Sequence, residues 1–166
     1  MQFVAPTAPF TCDAKPGEVP GIFTSAFTCH ALVHRNYDKT NSDWVAEISM
    51  GNLEDRLQEN GDLANIASKT FAAILTQSYT TTKATVKKRK IQHLTRVAPD
   101  GRAVLLSAEV HVSKPGLATK YDRAVLALIQ LESGQHVAWY ALRANDSSKD
   151  VVQALEDSAD TVEARK

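Results

Sequence analysis

Five histidines, two cysteines and one run of cations are the side chains of this 166-residue sequence whose types and spacing suggest chemistry. His30 and His34 fall on one face of a segment with strand-like alternation. Four residues of strand span about 13 Å, so the two imidazoles need a third element before they can share a metal ion. No Asp, Glu or Cys stands at a supporting spacing, and the pair reads as solvated strand histidines. His93, His111 and His136 are isolated. A Ser/His/Asp site assembles from distant positions and stays open on sequence grounds. There is, however, no G-x-S-x-G turn and no cysteine in a nucleophile setting. A phosphate loop and a G-x-G-x-x-G stretch are also missing, and the seven glycines fall mostly at turns. Glu54-Asp55 and Glu156-Asp157 sit on helical segments and read as solvated faces. No catalytic, cofactor-binding or metal-binding residue is assigned.

The two cysteines, Cys12 and Cys29, form no CxxC pair and are too few for a metal cluster. Both lie in segments that read as strands, on either side of the turn Glu18-Val19-Pro20-Gly21. Antiparallel pairing of those strands would bring them opposite one another. A bridge would then contribute about 3 kcal/mol in the loop-entropy picture, given an oxidising compartment. Two unlinked core thiols are the other reading.

Lys87-Lys88-Arg89-Lys90 is the one charge run. On a strand it sends two cations to each side, which protects a sheet edge against aggregation. It is also the candidate contact for lipid head groups or an acidic partner. Nineteen basic residues balance nineteen acidic ones, so no long-range field draws the whole molecule onto nucleic acid or anionic lipid, which leaves only a local patch. No nucleic-acid partner is expected.

These residues must be positioned by strands and two main helices. Residues 22–37 alternate, with Phe23, Phe27, Ala31 and Val33 on one side and Thr24, Thr28, His30 and His34 on the other. In residues 43–50, Trp44, Ala46 and Ile48 alternate with Val45, Glu47 and Ser49. Leu63, Ile66, Ala67, Thr70, Phe71, Ile74 and Leu75 recur at three and four, one helical stripe. Asp62 is its N-cap after the break at Asn60-Gly61, and residues 53–59 offer an extra helical turn. Residues 84–97, 102–113, 121–132 and 135–143 read as four more strands. Turns at Pro99-Asp100-Gly101, Lys114-Pro115-Gly116 and Ser133-Gly134 punctuate them. Residues 121–132 are apolar on both faces, as in a central strand covered on both sides. Trp139 and Tyr140 are adjacent and face opposite ways; one fills the core under a helix, and for the other an aromatic core position is favoured over a place in a groove. A last helix begins at Ser147, with Asp150 in a capping-box spacing and Val151, Val152, Leu155, Ala159 and Val162 as its stripe. With a short strand near Phe10, the expected fold is α+β: an antiparallel sheet of about six to seven strands flanked by two main helices.

Composition fits one globular domain, 43% hydrophobic and 23% charged. We place an extended Pro/Ala leader at residues 1–8 and a single domain at 9–166. The leader reads as a joint to something upstream, an export signal or membrane anchor; a cytoplasmic protein that simply begins here is the alternative. No stretch approaches the roughly 18 apolar residues of a membrane span.

With its elements placed, the chain resembles the Mog1/PsbP-like envelope proteins of actinobacteria. The matching features are early strands ending in Trp44-Val45-Ala46-Glu47-Ile48, a single helix, and the meander through Tyr121-Asp122-Arg123-Ala124-Val125. The strand Val137-Ala138-Trp139-Tyr140-Ala141 and a closing helix complete them. The likeness covers most of residues 9–164 and is one of element order, without a diagnostic motif. It implies a non-enzymatic accessory protein of the cell envelope, such as an LpqN-type lipoprotein, or a factor that binds an inner-membrane lipid transporter. The implied cargo is trehalose monomycolate, with the transporter or its lipid cargo as the bound partner and Lys87, Lys88, Arg89 and Lys90 as the partner contact. A small ligand-binding or hydrolytic domain with a pocket between helix and sheet is the alternative.

Overall fold

The computed structural model describes residues 4–59, 61–95, 97–98 and 102–162. Residues 1–3 of the leader, Asn60 of the helix break and the Pro99-Asp100-Gly101 turn lie outside the described residues. Eight strands form one antiparallel sheet: β1 (Thr11–Cys12), β2 (Gly17–Val19), β3 (Phe23–His34), β4 (Trp44–Leu53), β5 (Ala84–His93), β6 (Ala103–Val112), β7 (Tyr121–Gln130) and β8 (His136–Ala144). Three helices accompany them: α1 (Asp55–Gln58), α2 (Leu63–Ser78) and α3 (Lys149–Asp160). The strand order is β1-β3-β4-β8-β7-β6-β5, with β2 beside β1 along β3. From β4 the chain crosses through α2 to the far edge and returns by the meander β5 to β8.

The α+β class and the antiparallel sheet agree with the sequence reading, and the apolar 121–130 segment is an interior strand. The exact middle of the order belongs to its neighbour β8, nearly every residue of which is buried. The three-residue β2, mostly exposed, carries no periodic signal to betray it.

Two hydrophobic layers sandwich the sheet. The α2 stripe buries Ile66, Ala67, Thr70, Phe71 and Ile74 against Val104, Leu106, Val110, Leu126, Leu128 and Tyr140. Asp62 caps the helix by accepting from the Asn65 amide at 2.8 Å. On the other face α3 sets Val151, Ala154 and Leu155 over Ile48, Ala127, Ile129, Trp139 and Ala141. Its cap is Ser148, which accepts from the Val151 amide, one residue later than the capping-box spacing suggests. The Ser147 hydroxyl is buried without a partner among the described residues. Val4 ties the leader to this helix, its carbonyl accepting from Ser158 Oγ at 3.0 Å.

Bulges overturn three phase assignments. The β3–β4 register shifts between Phe23 and Ser25, so Phe23 shares the α2 side with Ala26 rather than with Phe27, which is exposed. A second shift, between Leu32 and His34, separates Trp44, packed on the α2 side, from Ala46 and Ile48 on the α3 side. One extra residue exchanges the faces of everything beyond it. The third bulge lies between Lys87 and Lys90, with Lys88 at φ +51°. It replaces the expected two-and-two split of cations. Lys87 and Lys90 stand opposite Glu109 and Ser107 in the β5–β6 ladder, while Arg89 turns to α2 and donates to Ser68 Oγ.

Gly51 sits where β3, β4 and β8 press together. A Cβ there would lie 2.4 Å from the Ser25 carbonyl oxygen and 2.6 Å from Ala26 Cβ. Gly51→Ala is therefore expected to cost about 1–3 kcal/mol by overpacking, read from urea unfolding. Wild-type stability in that variant would show that the strands can spread.

Candidate functional site

The cysteines meet as their strands pair. Cys12 stands directly opposite Cys29 in the β1–β3 ladder, and the two form a disulfide. Their Cα atoms are 3.9 Å apart, closer than the roughly 4.4–6.8 Å usual for bridges. Facing residues of an antiparallel pair that exchange no backbone bonds approach to about 4.5 Å, which accounts for most of the difference.

The cationic run occupies β5, the edge opposite the disulfide, and every residue from Thr85 to His93 is exposed. Lys88 pairs with Glu109 at 2.9 Å, and His111 contacts the other oxygen of that carboxylate at 3.0 Å. The hydrogen bonds from Lys88 and His111 hold Glu109 below its ordinary value. Lys87 and Lys90 make no ion pair among the described residues and face the side of the sheet away from α2. That half of the face continues into Arg123 and Arg143, which stand opposite one another on β7 and β8.

Of the histidines, His34 sits in a Thr/His/Asp cluster. Its Nε2 lies 3.0 Å from Asp146 Oδ2 and 3.1 Å from Thr119 Oγ1, while Thr119 Oγ1 donates to Asp146 Oδ1 at 2.8 Å. A nucleophile relay needs the acid on one ring nitrogen and the hydroxyl on the other. Here both contact the same nitrogen, and the hydroxyl proton already points at the carboxylate. The cluster clamps β3 to the turns before β7 and after β8. His30 lies 3.9 Å from Glu47, and His136 Nδ1 is 2.9 Å from Gln58 Oε1. No group of three or more His, Cys, Asp or Glu side chains among the described residues is placed to hold a metal ion.

A cleft that periodicity does not reveal opens where β4 and β7 begin. It has a volume of about 300 Å³ and is lined by Tyr37, Trp44, Tyr79, Lys114 and Asp122. Asp122 is 4% exposed, accepting from Tyr79 Oη at 2.6 Å and from Trp44 Nε1 at 3.1 Å. Burial pushes its carboxyl up, and those two hydrogen bonds pull it back. Lys114 Nζ closes the rim over the rings of Tyr37 and Trp44, 5.7 and 5.9 Å from their centres. Each carboxylate oxygen already has a donor, so Asp122 fixes the aromatic wall rather than acting as a base on a ligand. The one sequence signal is a carboxylate two residues before the apolar run from Ala124 to Ile129.

Tyr79→Phe removes the shorter of the two hydrogen bonds to that carboxylate. The loss should be about 1.5–3 kcal/mol near neutral pH, the range for hydrogen bonds to charged groups. It should shrink in acid: the folded-state value is raised, so stability is gained as pH falls through it and Asp122 protonates. Urea unfolding of both proteins at neutral and acidic pH measures this; a loss that grows in acid contradicts the assignment.

A third feature is a groove of about 230 Å³ between α3 and the sheet, lined by Arg123, Val125, Trp139, Ala141, Arg143, Leu155, Glu156 and Ala159. Tyr140 stacks on Phe23 in the α2 layer while Trp139 forms the floor of this groove, so the adjacent pair faces both ways. Neither a protein-family model nor a curated protein matches this chain.

Proposed function

We propose that this chain is a non-enzymatic accessory module of the cell envelope, acting on a membrane transporter of trehalose monomycolate or on its lipid cargo, at or beside the inner membrane. The observation that carries the reading is the β5 edge: a ten-residue strand, paired on one side only, whose Lys87 and Lys90 are committed to no ion pair among the described residues. Such an edge offers backbone hydrogen bonds and positive charge together, which suits an extended acidic partner or an anionic membrane surface. The Cys12–Cys29 bridge supports a compartment outside the reducing cytosol. The identity of the transporter and cargo rests on the resemblance in element order. No helix of the described residues is long and apolar enough to cross a membrane, so the reading relies on association or on an anchor elsewhere.

The test is capture from native membranes with the bound proteins identified by mass spectrometry. A lipid transporter should be recovered, and Lys87→Glu with Lys90→Glu should reduce its recovery at an unchanged melting temperature. These two are the appropriate targets, because reversing Lys88 or Arg89 would also break contacts to Glu109 and Ser68. Surface changes of this kind alter stability by about 0.5 kcal/mol or less. Undiminished capture would remove the β5 edge from the interface, and recovery of no membrane transporter would remove the reading.

A further inference from the structure

Arg123 and Arg143 are directly opposite one another in the β7–β8 ladder. Like charges in that relation destabilise a sheet. Among the described residues neither guanidinium makes a hydrogen bond or an ion pair. Burial first, and then the positive charge of Arg123, press the Arg143 value down. Glu156 on α3 and Tyr121 act in the opposite sense, but neither closes onto the guanidinium as a salt bridge. Lys87, Lys88 and Lys90 lie on the same half of the sheet, while Glu109, which stands opposite Arg123, is already held by Lys88 and His111.

The floor of the groove beneath this pair is apolar. Val125 and Ala141 form the next cross-strand row, and Ala127 and Trp139 the one after it. Leu155 and Ala159 of α3 make the opposite wall. Trp139 is 2% exposed, yet its Nε1 has no hydrogen-bond partner among the described residues. An indole donor is rarely left unpaired in a protein interior. Two unmatched cations at the mouth of an apolar slot, with an unused donor in its floor, fit a ligand with an anionic head and an aliphatic tail.

We propose that the α3 groove binds a single-chain anionic amphiphile. Its carboxylate or phosphate sits between Arg123 and Arg143, and its first methylenes run over Val125, Ala141 and Trp139 beneath Leu155. A carboxylate or phosphate head accepts two parallel bonds from a guanidinium, so one head can satisfy both arginines and cancel their repulsion. At about 230 Å³ the slot admits the head and a short length of chain, below the roughly 300–1,000 Å³ of sites that enclose whole drug-sized ligands. The site is separate from the β5 edge and goes beyond the adaptor reading, since trehalose monomycolate carries no such anion.

Calorimetric titration of the full chain with probes below their micellar concentrations decides the matter. Dodecanoate and dodecyl phosphate should each bind at least about tenfold more tightly than dodecyl maltoside, a difference of about 1.4 kcal/mol; the relative affinity of the two distinguishes a fatty-acid source from a phospholipid-like one. Acetate and inorganic phosphate should give no measurable heat, because the tail supplies the hydrophobic part. Arg143→Gln should weaken both anionic probes by about tenfold or more while keeping or raising the melting temperature, since it relieves a like-charge pair. Arg123→Gln, at an exposed position, repeats the test should the first variant misfold. Ala159→Trp, which fills the slot, should abolish binding of the dodecyl probes. Equal affinity for dodecyl maltoside, equal affinity in both arginine variants, or an acidic peptide that outcompetes dodecanoate would each overturn the proposal. Failure here leaves membrane capture by β5 untouched, and failure of capture leaves this titration untouched.

Discussion

Phe71→Ala is expected to lower the free energy of unfolding by about 3–5 kcal/mol, the usual cost of truncating a buried phenylalanine. The ring is 5% exposed and lies at the middle of the α2 stripe, between Ala67 and Ile74 and above the β6 and β7 side chains. Truncation removes the transfer free energy of the ring and leaves a void that a helix held along its whole length cannot easily close. Leu63→Ala is the natural comparison: it lies on the same stripe but is only partly buried near the helix start, so its loss should be clearly smaller. Urea unfolding with an unchanged slope measures both. A cost below about 1 kcal/mol for Phe71→Ala would mean that α2 does not carry the packing of this face.

That stripe shows what the sequence makes legible. Apolar residues at three and four spacing have one helical solution, and Asp62 with Gly61 marks its start, so α2 and its buried set follow almost directly. The doubly apolar 121–132 segment likewise announces an interior strand. Three features were hidden for a common reason. In a strand, one inserted residue reverses every later side chain, and nothing in Phe23-Thr24-Ser25 or Leu32-Val33-His34 marks a bulge that depends on the partner strand. The sides taken by Phe23 and Trp44, and the split of the Lys87–Lys90 cations, were therefore beyond periodicity. The groove was hidden for a different reason. The opposition of Arg123 and Arg143 depends on β7–β8 register, which a hairpin turn restricts but does not reveal from residue types alone. The role of Asp122 was hidden as well, because its donors Tyr79 and Trp44 come from elements 43 and 78 residues away.

Replacing Cys12 and Cys29 together by serine should cost about 3 kcal/mol, because the bridge closes a loop of seventeen residues and its main effect is to restrict the unfolded chain. For a domain of this size that corresponds to roughly 6–12 °C in melting temperature. A second consequence is local. β1 contributes only two residues to the sheet, and beside the bridge it is held by a short ladder to His30 and Cys29, by the buried Phe10 and by a bond from the Asp13 amide to the Thr28 carbonyl at 2.9 Å. Without the bridge this strand should open ahead of the rest, with faster amide exchange at residues 11–13 than in β4 or β8. The two effects separate cleanly: restriction of the unfolded state raises global stability, whereas anchoring of β1 alone protects only that edge. Loss of exchange protection at β1 with an unchanged unfolding midpoint would refute the global effect. Thiol titration under denaturing, non-reducing conditions adds the compartment. Protein made in an oxidising compartment should show no free thiol, and the serine pair should leave β5 and the α3 groove, on other parts of the sheet, able to bind as before. Two free thiols would count against both the bridge and an envelope location, since only an oxidising setting keeps such a pair closed.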